Sequence, residues 1–109
     1  MHLYPIDGAV HDVASSDTAF SFSDVNFAEV IVGVDRDPAN ADAITRWTVE
    51  YWEATHPYSA GGAYVNFMMY EGQERVKATC GANYDRLTHV KAKYDPNNLF
   101  RINQNIRPA

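Results

Sequence analysis

The chain has 109 residues, 46% of them apolar and 21% charged, which fits one globular domain with a small core. Its net charge of −5, with Lys and Arg scattered rather than clustered, argues against a phosphate-binding surface, so nucleic acid is not an expected partner. No apolar run approaches the roughly 20 residues of a membrane span, the N-terminus lacks a signal-peptide pattern, and a chain that begins naturally at Met1 is expected in the cytoplasm.

From the N-terminus, Leu3 to Val13 mixes apolar and aromatic residues with Pro5 and Asp7-Gly8, which predicts two short strands around a turn. Ser15-Ser16-Asp17 reads as a polar loop. Phe20, Phe22, Val25 and Phe27 suggest a half-buried strand broken near Asp24. Phe27 to Val34 is β-branched and nearly continuous, the pattern of a strand covered on both faces.

Asp37-Pro38 then carries a helix start, with Asp as N-cap and Pro at the first helical position. Ile44, Trp47, Thr48, Tyr51 and Trp52 recur at helical spacing, predicting a helix from about Pro38 to Thr55 whose aromatic face packs on a core. His56-Pro57 ends it. After Gly61-Gly62, the segment Ala63 to Tyr70 reads as a strand, with Tyr64, Asn66 and Met68 on one face and Val65, Phe67 and Met69 on the other. The polar face suits either solvent or a ligand.

Past Glu71-Gly72-Gln73, a short helix is expected up to Cys80. The lone Cys80 excludes an internal disulfide and reads as a small buried thiol before the Gly81 turn. A second helix starts near Asn83, its expected N-cap. That helix presents Tyr84, Leu87, Val90 and Tyr94 inward and Arg86, Lys91 and Lys93 outward. Asp95-Pro96-Asn97-Asn98 stops it with turn chemistry, and an extended C-terminal tail follows, with Ile102 and Ile106 as anchors. The order predicts an α+β fold with an antiparallel sheet covered by helices on one side.

The residues alone give a thin catalytic inventory. His2, His11, His56 and His89 form no i,i+4 pair and no cluster with Cys80, so no metal site is expected. A phosphate-cradling glycine loop and a GxSxG elbow are both missing.

Four segments carry more. Tyr94-Asp95-Pro96-Asn97-Asn98-Leu99-Phe100-Arg101-Ile102-Asn103-Gln104-Asn105-Ile106-Arg107-Pro108 is the most specific, preceded by Gly81-Ala82-Asn83-Tyr84-Asp85-Arg86-Leu87-Thr88-His89-Val90-Lys91. Before these stand Gly61-Gly62-Ala63-Tyr64-Val65-Asn66-Phe67-Met68, and Asp7-Gly8-Ala9-Val10 with Thr18-Ala19-Phe20. In this order they resemble the C-terminal segment of berberine-bridge-enzyme-like FAD-linked oxidases. One stretch departs: Ser21-Phe22-Ser23-Asp24 stands where that family usually continues toward a His-Arg pair.

The resemblance implies that residues 1–80 belong to a substrate domain, and that 81–109 form a helix and a tail returning to an FAD-binding domain. That domain, separate or missing here, would be the partner, because such oxidases have several hundred residues. FAD is then the implied cofactor, bound only together with that domain, and the isolated chain is expected to be inactive. The implied chemistry is oxidation of an alcohol or sugar-type substrate with hydride transfer to flavin N5. Tyr64 is implied as the catalytic base, Asn66, Asn98 and Gln104 as cofactor-binding and Tyr84 as substrate-binding. A phenol needs a cation or hydrogen-bond partner to serve as a base, and the sequence identifies none. The alternative is a free-standing, non-catalytic module acting as a homodimer or binding a small ligand.

Overall fold

A short antiparallel ribbon opens the fold in the computed structural model, which describes residues 1–109. Strand β1 (His2–Pro5) pairs with β2 (Phe27–Val30) in the register His2 opposite Val30 and Pro5 opposite Phe27, and Ile6 N–H extends the ladder to Asn26 O at 2.8 Å. Helix α1 (Ala41–Thr55) is entered through a 3-10 turn over Pro38–Asn40. The Asp37 carboxylate caps that turn by accepting from Ala39 N–H at 2.9 Å, as the Asp-Pro pair predicts. Helices α2 (Gln73–Cys80) and α3 (Tyr84–Tyr94) follow, joined by a tight turn over Gly81–Asn83. The fold is α+β, with the antiparallel sheet first and the helices after it. No helix is long and apolar enough to cross a membrane.

Several expected elements differ. Leu3 to Val13 does not form a hairpin, since β1 pairs with β2 and Gly8–Val10 makes a 3-10 turn, Gly8 having φ +66°. β2 stops at Val30 because β1 offers only four partners. Beyond it, the chain runs unpaired over α1, so close at Gly33 that a Cβ there would collide with Ile44 and Thr48. The predicted strand from Ala63 to Tyr70 is absent: Val65–Phe67 is a 3-10 turn, and Phe67 N–H donates back to Tyr64 O at 2.9 Å. A strand requires a neighbour to take its backbone groups; none runs alongside, so the segment pairs locally.

Helix faces also shift. No residue of α1 is buried, and Trp47, packed on Tyr51 at 5.6 Å between ring centroids, stays largely in solvent, contrary to the expected core face. On α3, Val90 and Tyr94 are exposed, while Lys91 lies inward with its ammonium on Asp95. The i,i+4 Lys–Asp spacing pulls the helix face round toward the turn that ends it.

The true interior is small: of its five buried residues, Val76, Thr79, Cys80 and Asn83 lie on α2 and the turn into α3, and Ser23 lies in the loop before β2. A self-contained chain of this mass exposes about 6,100 Å², whereas this one exposes 8310 Å². Its radius of gyration is 16.1 Å, against about 13 Å for a compact domain of this length. The excess comes from apolar surface left uncovered, including Tyr58, Tyr70, Leu99, Phe100 and Ile102.

Candidate functional site

Backbone geometry brings Tyr64 and Asn66 together in a way the strand expectation did not foresee. On a strand they would share a face two residues apart; on the 3-10 turn their side chains meet, with Asn66 Nδ2 donating to Tyr64 Oη at 2.9 Å. The hydrogen-bond partner that the sequence did not reveal is therefore two residues away. Tyr64 itself is held by rings on two sides. Phe67 meets it edge-to-face at 5.0 Å and 83°, and Phe20 at 6.4 Å and 81°. Edge-to-face packing of this kind fixes a ring plane while leaving its polar tip free. Tyr4 of β1 touches Phe67 at 6.2 Å, which ties the turn to the ribbon.

Behind the turn, Gly62 lets the chain pass against Phe22, whose ring occupies the space a Cβ would need. Arg75 of α2 anchors the entry to the turn. Its Nη1 donates to Gly61 O at 2.8 Å, its Nε to Glu71 at 3.2 Å, and its guanidinium lies 5.1 Å from the Trp52 ring centroid.

The tail completes the site. Gln104 Nε2 donates to Met68 O at 3.1 Å and to Met69 O at 3.0 Å, the two carbonyls that follow the turn. Val65, Asn66, Met68, Ile102, Asn103 and Gln104 line a groove between turn and tail. Gln104 does the anchoring expected of Ile102, which is 86% exposed, and Ile106 is half-buried as expected.

The other candidates lie apart. Asn98 sits in the turn after α3 with φ +51°, and its Oδ1 is buried without a partner, as is Asn105 Oδ1. Tyr84 opens α3, half-buried, with the Lys77 ammonium 5.9 Å from its ring centroid. Asn83 stands at the N-cap position of α3 as expected, but its side chain makes no capping bond. Its side-chain Nδ2 donates to Ser15 O at 2.7 Å, Thr18 O at 3.1 Å and Ser21 Oγ at 2.8 Å, and Ser21 Oγ in turn donates to Cys80 O. Cys80 is the buried thiol expected, and burial pushes its ionisation up, away from reactivity.

Sequence reasoning placed Asp95 in the turn that stops α3 but missed what its side chain does. Its carboxylate takes the Lys91 ammonium and the N–H groups of Leu99 (2.7 Å) and Phe100 (2.9 Å), setting the direction in which the tail leaves α3. The signal was present in the Lys-x-x-x-Asp spacing followed by Pro.

The donors around the groove suit an uncharged, amide-rich ring. Asn66, Asn103 and Gln104 offer neutral amide donors and acceptors along it, while the buried, unpartnered oxygens of Asn98 and Asn105 lie outside the groove. FAD's isoalloxazine, with carbonyl oxygens and an N–H along one edge, fits this donor set.

Comparison with known proteins bears on the same segment. Residues 63–107 match the model of the family described as berberine and berberine like. The chain is 32% identical over 102 residues to the FAD-linked oxidoreductase YvdP of Bacillus subtilis (strain 168), covering 94% of this chain and 23% of that protein. YgaK, an FAD-linked oxidoreductase of the same organism, is 32% identical over 103 residues, with 94% and 23% coverage. Berberine bridge enzyme-like 28 of Arabidopsis thaliana is 28% identical over 127 residues, with 95% and 24% coverage. The chain thus spans about a quarter of the length of these relatives. The match from Ala63 to Arg107 takes in the Tyr64–Asn66 turn, α2, α3 and the tail, and over that segment the chain carries the berberine and berberine-like domain, with FAD-linked oxidoreductases among the proteins it is similar to.

Proposed function

We propose that this chain is the C-terminal part of an FAD-dependent oxidoreductase that oxidises the hydroxyl of an alcohol or sugar-type substrate, and that it supplies one wall of the active site. The observation that carries the reading is the Asn66–Tyr64 hydrogen bond at 2.9 Å on an exposed turn inside the family-matched segment. Residues 1–80 belong in this reading to the substrate domain, and 81–109 to a helix and tail that return to the FAD-binding domain. The roughly 2,200 Å² by which the surface, 8310 Å², exceeds the area expected for this mass is what such a domain would cover.

When bound, FAD supplies the two-electron acceptor, taking the substrate's hydride at N5. Tyr64 Oη, held by Asn66 and by the Phe20 and Phe67 edges, takes the substrate hydroxyl proton. The Asn66 amide donates to one lone pair of Oη and leaves the other for the substrate. An N–H cannot take the phenol's own proton, so that acceptor would come from the rest of the enzyme. Asn66 and Gln104 at the groove, and Asn98 from the turn after α3, would hold the cofactor. Gln104, whose Nε2 is engaged by the Met68 and Met69 carbonyls, would meet it through Oε1. Tyr84 contributes to the substrate side.

The test is to combine the chain with an FAD-binding domain of the family and follow flavin absorbance and turnover of a panel of alcohols and sugars. Tyr64→Phe should retain the flavin spectrum and lower kcat by about 100-fold or more, the usual scale of a lost general base. An unchanged kcat would remove Tyr64 from the role. A chain that binds no flavin domain but sediments as a dimer would favour the non-catalytic module instead.

A further inference from the structure

The segment that bears Tyr64 and Asn66 has no strand beside it, yet two of its carbonyls are satisfied. With no strand alongside, no backbone N–H donates to Met68 O or Met69 O. Here both receive the side-chain amide of Gln104, 36 and 35 residues further on. One amide from the tail thus supplies the donors that the backbone does not. We propose that Gln104 is a positioning residue, and that docking of its amide on Met68 and Met69 fixes the turn in which Asn66 reaches Tyr64.

The geometry makes the link short. Met68 has extended backbone (φ −71°, ψ 137°) and directly follows the Val65–Phe67 turn. Pinning its carbonyl sets where that turn ends, and the turn's own closure is the single Phe67 N–H to Tyr64 O bond. Nothing else from the C-terminal tail hydrogen-bonds to this segment. On the inner side, Met68 Sδ accepts from the Thr79 hydroxyl at 3.3 Å, so the residue is held to α2 by its side chain and to the tail by its backbone. Releasing the tail leaves the side-chain anchor but frees the carbonyl, and the Asn66–Tyr64 distance is then held only by the Phe67 N–H bond and the aromatic edges on Tyr64. The tail, in turn, is aimed at the turn by Asp95, which receives Leu99 and Phe100 N–H. The inference rests on the reading of Tyr64 as the base, because positioning matters only if the pair it positions does chemistry.

The experiment uses the full chain and needs no flavin, so its failure is separate from failure of the Tyr64 assignment. Two variants are compared by NMR. Gln104→Glu keeps the length but presents acceptors alone to two carbonyls, and Gln104→Met keeps the bulk without a polar group. Both should shift the Met68 and Met69 carbonyl ¹³C resonances and speed exchange of the Phe67 amide by about tenfold, the scale of two neutral hydrogen bonds. Both should also move the Asn66 side-chain amide protons and the Tyr64 ring carbons toward free values. Amides of α1 should not change. A purely structural tail would leave the Asn66 and Tyr64 signals in place, and that result overturns the proposal, as does an absence of any change at Met68 and Met69. Should both variants unfold, the unmodified chain decides. The Phe67 and Asn105 amides should lose protection in one opening step as denaturant rises, and separate openings overturn the proposal.

Discussion

The junction of α2 with α3 and the turn of Tyr64 are built by opposite means. At the junction, polar groups are buried and saturated: Asn83 meets two carbonyls and a hydroxyl, and Ser21 continues the network to Cys80. At the turn, Tyr64, Val65, Asn66 and Phe67 are all exposed and are held by one backbone bond, aromatic edges and a glutamine from the tail. The junction carries no proposed catalytic group, although Tyr84 at its edge is placed on the substrate side, and the turn that carries one depends on neighbours. Exposed, lightly supported segments are where binding and catalytic groups are usually found, because their remaining support comes from what they bind.

The largest test of that contrast is Asn83→Ala. Ser15 O and Thr18 O would lose their buried donor together, and the loop carrying Thr18 to Ser21 would detach from α3. The expected loss is about 3 kcal/mol, roughly 1 kcal/mol for each of the three partly buried hydrogen bonds that Asn83 makes, read as a fall in the urea midpoint. A change below about 0.5 kcal/mol, ordinary for surface sites, would show that the network does not hold the junction.

Gly62→Ala probes the other region. A Cβ there would occupy the space of the Phe22 ring, and Phe22 in turn touches Phe20, the edge that flanks Tyr64. Overpacking should cost about 2 kcal/mol and, unlike Asn83→Ala, should displace the Tyr64 ring signals while the α2–α3 amides stay protected. If the two variants disturb the same resonances, the two regions are one cooperative unit and the contrast fails.

The helices were legible in the sequence because periodicity and caps are local: Asp37-Pro38 set the entry to α1, and Asp95-Pro96 the exit from α3. The strand at Ala63–Tyr70 was not, since alternation says which residues could share a face but not whether a neighbour exists to pair with. Tyr64 and Asn66 were singled out through the family resemblance, and their hydrogen bond arises from a turn that no periodicity predicts. Asn83 looked like a helix cap because Asn before a helix commonly is one; its real partners lie more than sixty residues away, out of reach of any local rule. The aromatic face of α1 was expected in a core. It is only half-covered, by the segment through Gly33 and by Arg75, because this stretch of chain has too little material to bury it, and length alone signalled that difficulty.

The smallest expected effect joins the two regions, because Asp95 stands between α3 and the tail that reaches the turn. The Lys91 ammonium holds the Asp95 carboxyl below its ordinary value, helped by the N–H groups of Leu99 and Phe100, with partial burial acting in the opposite direction. A carboxyl depressed in the folded state contributes stability that is fully present above its unfolded value, about 3.9, and is lost as pH falls through the lower folded value. Tail docking should therefore be constant at neutral pH and weaken only in acid, and the change should be modest because solvent screens the pair. The Leu99 and Phe100 amide resonances report it directly, since each donates to that carboxylate. Lys91→Met should move their acid midpoint up toward the ordinary carboxylate value. If the midpoint stays put, the backbone donors alone depress Asp95, and the tail's direction is set by its own turn rather than by α3. If the Gln104 contacts with Met68 and Met69 loosen over the same acid range, the direction set at Asp95 is what delivers Gln104 to the turn of Tyr64.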